Sequence, residues 1–325
     1  MTLVGGAAVT WPLAARAQQA NGLRRIAALM DTSENNAEGQ ARIAAFRRGL
    51  AQLGWTEGRN LQIEVRWGAG DVERTRRFAA EIVHMSPDVI FAYANAQLAP
   101  ISRETHAIPI VFVGASAPVA DGYVESFARP GGNITGFTQY EASMAGTWLE
   151  ALKEIAPAIL RVAIIANPDT APMRGTFYLR TLEAAAAKFN IEPITRFVHS
   201  ADDIEAALAA LGQKPDSGLI VAPETFTTAH RELFIALAER NKVPAIYGLR
   251  QFPASGGLMS YGPDTLDTVL RATSYVDRIL RGEKPAALPV QAPTKFEFVV
   301  NARAAKALGL TIPPAMMVRA DEVIE

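Results

Sequence analysis

Past residue 21 the chain alternates short, almost wholly apolar runs with amphipathic stretches of helical period, and this alternation constrains the fold more than any other feature. RRIAALM (24–30), LQIEVRW (61–67), DVIFAY (88–93) and IPIVFV (108–113) read as strands, as do RVAIIA (161–166), IEPITRFV (191–198), GLIVA (218–222) and VPAIY (243–247). Unbroken apolarity over so few residues suits strands covered on both faces of a parallel sheet. Between them, Ile43, Phe46, Leu50 and Leu53 fall three and four apart, with Gly54 as a C-terminal cap. Leu266, Val269, Leu270, Thr273, Val276 and Leu280 repeat the pattern, and Gly282 ends it. Such a chain builds an α/β fold with parallel sheets and right-handed crossovers.

The alternation runs twice, once from residue 24 to about 137 and again from the helix SMAGTWLEALKEIAP (143–157). After Tyr247 it becomes irregular. A loop-like GLRQFPASGG precedes a strand GLMSYG, a long helix (264–281), a proline-punctuated connection and one more strand. Two α/β lobes with late segments crossing between them account for this pattern, and so does one large sheet.

Charge and composition narrow the function classes. Thirty-two basic and 33 acidic residues leave a formal net charge of −1, with no basic run longer than a pair. That argues against a nucleic-acid or anionic-membrane surface, which needs a clustered positive field. The absence of cysteine excludes disulfides, zinc-thiolate sites and cysteine nucleophiles. Four scattered histidines (His84, His106, His199 and His230) offer no metal-ligand spacing, so no metal or other cofactor is expected. At the N-terminus an apolar stretch from Leu3 to Ala15 closes on Ala15-Arg16-Ala17, small residues of the kind a signal peptidase accepts. The stretch is shorter than the ~20 residues a bilayer span needs. Residues 1–17 therefore read as a cleaved leader and the mature chain as periplasmic.

Ser116 invites a reading as a nucleophile. Its window, Gly114-Ala115-Ser116-Ala117-Pro118, has proline where a nucleophile elbow requires its second glycine. The glycines of ARPGGNITGF match neither phosphate-binding pattern and lead into a strand rather than a helix; Pro130-Gly131-Gly132-Asn133 reads as a tight turn. What remains is a set of polar and aromatic residues just past successive strands. Asp31 and Thr32 follow the first strand, Asn95 the third and Ser116 the fourth. Asn167, Asp169 and Thr170 follow RVAIIA; Glu224, Thr225 and Phe226 follow GLIVA; Tyr247 ends VPAIY. Asp169 or Thr170 also suits a helix cap near Pro172. Open α/β sheets bind ligands at this edge, and two such edges facing each other form a polar cleft.

The strings EGQARIAAFRRGLAQLGWTEGRNLQIEVRWGAGD, IPIVFV…ARPGGNITGF, ANPDTAP, GGLMSYG, LRGEKPAALPVQAPTKFEFVVN and AKALGLTIPP…RADEVIE carry a closer likeness. Over residues 22–325 the chain resembles bacterial ABC-transporter substrate-binding proteins, in the branch with tryptophan- and tyrosine-binding members. The resemblance implies a type I periplasmic-binding fold: two Rossmann-like lobes joined by three hinge crossings. It places residues 22–138 and 255–289 in one lobe, and 139–254 and 290–325 in the other. It implies capture of a small aromatic or amino-acid-like ligand by clamshell closure, delivery to an inner-membrane ABC permease, no catalysis, and a monomer as the simplest state. The alternative is a periplasmic sensor presenting its ligand to a receptor kinase. On this reading Ser116, Asn95, Thr138, Asn167 and Thr225 hydrogen-bond the ligand, together with Thr32. Tyr93, Phe226 and Tyr247 form aromatic walls, and Tyr261 lies near a hinge. Relatives usually carry an aspartate before the proline where this chain has Ala117, which leaves Asp31 or Glu224 to face a ligand ammonium.

Overall fold

The computed structural model describes residues 22–325, so residues 1–17, expected to be a leader, lie outside the described residues. Strands β1 (Arg24–Met30), β2 (Leu61–Trp67), β3 (Val89–Tyr93), β4 (Ile110–Val113) and β5 (Ile134–Phe137) form a parallel sheet in the order β2-β1-β3-β4-β5. A second sheet holds β6 (Arg161–Ala166), β7 (Glu192–Phe197), β8 (Ser217–Val221), β9 (Ala245–Tyr247), β10 (Met259–Pro263), β11 (Phe296–Asn301) and β12 (Glu322–Ile324). Its order is β12-β11-β10-β9-β8-β6-β7, with β10 and β11 antiparallel and every other pair parallel. The chain is thus two α/β lobes rather than one large sheet.

Each sheet is sandwiched as the apolar runs require. Phe46, Ile43 and Leu50 of the helix Ala37–Gln52 meet Phe91, Val111 and the helix Thr265–Leu280 on one face of the first sheet. Ile82, Leu98, Ile101 and Phe112 fill the other face. In the second lobe Trp148, Leu149 and Leu152 of the helix Met144–Ile155 pack with Ile220, Ile246 and Phe234. Trp148 is buried and donates its indole N–H to the Tyr261 carbonyl at 2.7 Å, satisfying its one polar atom.

The chain passes between the sheets three times: after β5, after β10 and before β11. At the first and third passages the strands lie side by side. The Thr138 amide donates to the Gln291 carbonyl at 2.9 Å and the Gln291 amide to Gly136 at 3.0 Å. At the second, Asp264 caps the helix Thr265–Leu280 and pairs with Lys295 at 2.7 Å. Residues 255–263, expected in the first lobe, lie in the second, because β10 pairs with β9 and β11. Gly136 is fixed by crowding: a Cβ there would sit 2.1 Å from the Phe112 carbonyl oxygen.

The C-terminal ends of β1 and β3 face those of β6 and β8 across a cleft. The lobes touch along its rim, where Arg231 pairs with Glu38 at 3.1 Å and the Met173 amide donates to Asp121 at 3.2 Å.

Candidate ligand-binding cleft

Between the lobes lies a cleft of about 550 Å³, walled by Asp71, Arg76, Arg103, Asp121 and Tyr123 on one side and by Asp169, Met173 and Arg174 on the other. Asn95, Thr170 and Thr225 line this cleft and also a narrow inner cavity of about 30 Å³ behind it. That inner space has room for about one or two waters. Its wall combines Asp31, Arg42, Tyr93, Gln139 and Tyr140 with Pro223, Glu224, Thr228 and Leu249.

The deep wall from the first lobe is charged. Asp31 follows β1, and Arg42 reaches it from the helix Ala37–Gln52, with Nη1 to Oδ1 at 3.1 Å. Only 2% of Arg42 is exposed. Its guanidinium carbon sits 4.3 Å from the centre of the Tyr93 ring, a cation–π arrangement. Its Nε has no hydrogen-bond partner among the described residues. Burial pushes the Asp31 carboxyl up, and the Arg42 charge opposes that rise. The Tyr93 hydroxyl in turn meets the Gln139 amide at 3.2–3.3 Å.

The wall from the second lobe is built on Glu224, which caps the short helix Thr225–Ala229. Its carboxylate accepts from the amides of Phe226 (2.6 Å), Thr227 (2.9 Å) and Asn167 (3.4 Å), and from the Thr170 hydroxyl. Burial nevertheless pushes this carboxyl up to about 7, against the pull of those donors. The neighbouring Thr225 hydroxyl is buried without a hydrogen-bond partner among the described residues. No group of three or more potential metal ligands occurs among the described residues.

Of the residues singled out by sequence, Asp31, Tyr93, Asn95, Glu224 and Thr225 line the inner cavity. Asn95 also clamps the loop after β4, donating to the Ser116 carbonyl at 3.0 Å and accepting from its amide at 2.8 Å. Ser116 itself is buried, and its hydroxyl faces Tyr178 of the other lobe without meeting it in hydrogen-bond geometry. Thr138 belongs to the first crossing. Asn167 accepts from the Asp169 amide at 2.8 Å and forms the turn behind Glu224. Asp169 pairs with His199, and Thr170 serves Glu224, so neither caps a helix at Pro172. Thr32 lies at the edge of the helix Ala37–Gln52, its hydroxyl pressed toward Gly39.

Two of the expected aromatic walls go elsewhere: Phe226 packs against His230, and Tyr247 stacks on Phe252 at 4.4 Å in the second-lobe core. Tyr261, expected near a hinge, lies on β10 two residues before that strand ends at the second crossing, and stacks on Phe296 at 5.8 Å. Tyr93 reaches the cavity, but Arg42 covers one face of its ring. Sequence reading missed Arg42, Gln139, Tyr140 and Leu249. For Arg42 there was a signal, since it falls on the buried stripe Gly39-Arg42-Ile43-Phe46-Leu50, where a charge needs a reason.

A family model described as ABC transporter substrate binding protein matches residues 24–324. A tyrosine-binding protein of Clostridioides difficile strain R20291 is 26% identical over 265 residues, covering 82% of this chain and 75% of that one. The structure of an ABC domain in complex with L-Trp from Streptococcus pneumonia superposes with a TM-score of 0.85 at 21% identity, over 93% of this chain and 99% of that one. A ligand-free, open substrate binding protein with adhesive properties from Clostridium difficile gives 0.68 at 22% identity over the same shares. The two-lobed architecture is that of the type I periplasmic binding proteins. The chain belongs to the ABC transporter substrate-binding protein family, whose members bind a solute rather than transform one.

Proposed function

We propose that the chain is the extracytoplasmic solute-binding component of an ABC importer, capturing a small amino-acid-like solute between its lobes and presenting the closed form to a membrane permease. The observation that carries this reading is the inner cavity, where Asp31, Arg42 and Asn95 from one lobe converge with Thr170, Glu224 and Thr225 from the other. A solute held by both sets stabilises the closed arrangement over the open one, and only such differential affinity drives closure. Charges of both signs, beside a Thr225 hydroxyl and an Arg42 Nε that have no partner among the described residues, suit a zwitterionic head group. The tyrosine-binding and L-Trp-bound relatives support the same class. The higher TM-score with the L-Trp complex than with the open, ligand-free protein, at nearly equal identity, supports a closed arrangement here. In this reading the lobes comprise residues 22–138 with 264–289, and 139–263 with 290–325.

Thermal unfolding in the presence of the L-amino acids tests the proposal. A solute at ~100 times its dissociation constant stabilises by about 2.7 kcal/mol, a readable rise in Tm. An unchanged Tm across all of them contradicts it.

A further inference from the structure

We infer that Arg42 is the specificity-determining residue of the cleft, taking a carboxylate of the solute into the inner cavity. The inference rests on the reading of the cleft as the solute site and adds the chemical group the site selects. A guanidinium carries five N–H donors in a planar fork. The Arg42 fork is nearly sealed from solvent, yet its one hydrogen bond to a described residue is to Asp31. Nε is left without a partner among those residues. Burying a cation so incompletely satisfied is expensive, and a single carboxylate contact through one nitrogen leaves much of the fork unused.

The surroundings fit a bound carboxylate. The inner cavity, at about 30 Å³, has room for a small planar group and not for an aromatic ring. The 550 Å³ cleft that opens from it at Asn95, Thr170 and Thr225 has room for the rest of a solute. Tyr93 stacks under the guanidinium and Asp31 anchors one of its ends, so the fork is pre-oriented before a solute arrives. The Thr225 hydroxyl, also buried and without a partner among the described residues, lines the same cavity from the opposite lobe, where it can donate to the second oxygen of the same carboxylate. Arg42 thus links solute recognition to lobe closure, since the carboxylate it holds is completed by the second lobe.

Calorimetric titration of the wild-type protein with two matched sets tests this: L-tryptophan, tryptamine and indole-3-propionate; and L-leucine, isoamylamine and 4-methylpentanoate. In the set that binds, the probes bearing a carboxylate bind at least 100-fold more tightly than the amine lacking it. Arg42→Met loses at least 100-fold for the acids, while Arg42→Lys, which restores the charge without the fork, recovers part of the loss. The double variant Asp31→Asn/Arg42→Gln removes both charges of the buried pair together, so it separates misfolding from lost recognition. It folds and binds acid and amine with similar affinity. An amine that binds wild type within threefold of its acid overturns the inference while leaving the cleft as the solute site. Retention of the acid preference in the double variant overturns it as well. Absence of binding by all six probes overturns the amino-acid-like reading of the cleft, and the inference with it.

Discussion

Replacing Glu224 by glutamine removes a buried acid whose ionisation the fold resists, and the consequence is a change in the pH dependence of stability. Burial raises this carboxyl from an ordinary value of 4.5 to about 7, even though three backbone amides and the Thr170 hydroxyl point at it. Below pH 4.5 it is protonated in both the folded and unfolded chain and makes no pH-dependent contribution. As the pH rises from 4.5 to 7, the unfolded chain releases the proton while the folded chain keeps it. Stability therefore falls through that window and levels off above it. At about 1.4 kcal/mol for each pH unit of separation, the full loss is about 3 kcal/mol, most of it between pH 4.5 and 7. In Glu224→Gln that loss is absent. One amide or hydroxyl donor faces the new NH₂ group, so at pH 5 the variant is less stable than wild type by about 1–3 kcal/mol. The gap narrows or reverses by pH 8. Chemical unfolding of both proteins at half-unit intervals from pH 4.5 to 8.5 measures the difference curve. Parallel curves would refute the claim that Glu224 is held against ionisation.

Two further substitutions separate core from cleft. Tyr247→Ala, which empties a site stacked on Phe252, costs about 3–5 kcal/mol while leaving the Kd of the folded protein for its solute unchanged, as unfolding and calorimetry on the same preparation will report. Gly136→Ala forces a methyl group against the Phe112 carbonyl beside the first crossing and costs about 1–3 kcal/mol, read as a lower Tm with or without solute.

The first-lobe strands were legible because continuous apolar runs survive burial on both sheet faces, as β1, β3 and β4 show. The final strand β12, three half-exposed residues long, carries no such signal. The lobe boundary near residue 255 went astray because the antiparallel partner of β10 lies more than thirty residues onward, and non-local pairing leaves no local trace. In the site, the strand tips were legible but the directions of their side chains were not. Successive residues of a strand point to opposite faces, so Tyr93 reaches the cavity while Tyr247, also the last residue of its strand, turns into the core. Arg42 was hidden differently, as a charge on a helix whose apolar stripe reads as plain core.

Capture by closure predicts that the distance between the lobes changes when solute binds. The chain has no cysteine, so a pair introduced at the exposed positions Ala41 and Glu232, flanking the Arg231–Glu38 contact, carries spin labels at defined sites outside the cavity. Pulsed dipolar spectroscopy is then recorded with and without a solute identified by calorimetry. A broad or longer distance that collapses to one short distance at saturation is the predicted result. A distribution that does not change on saturation would rule out closure on the solute.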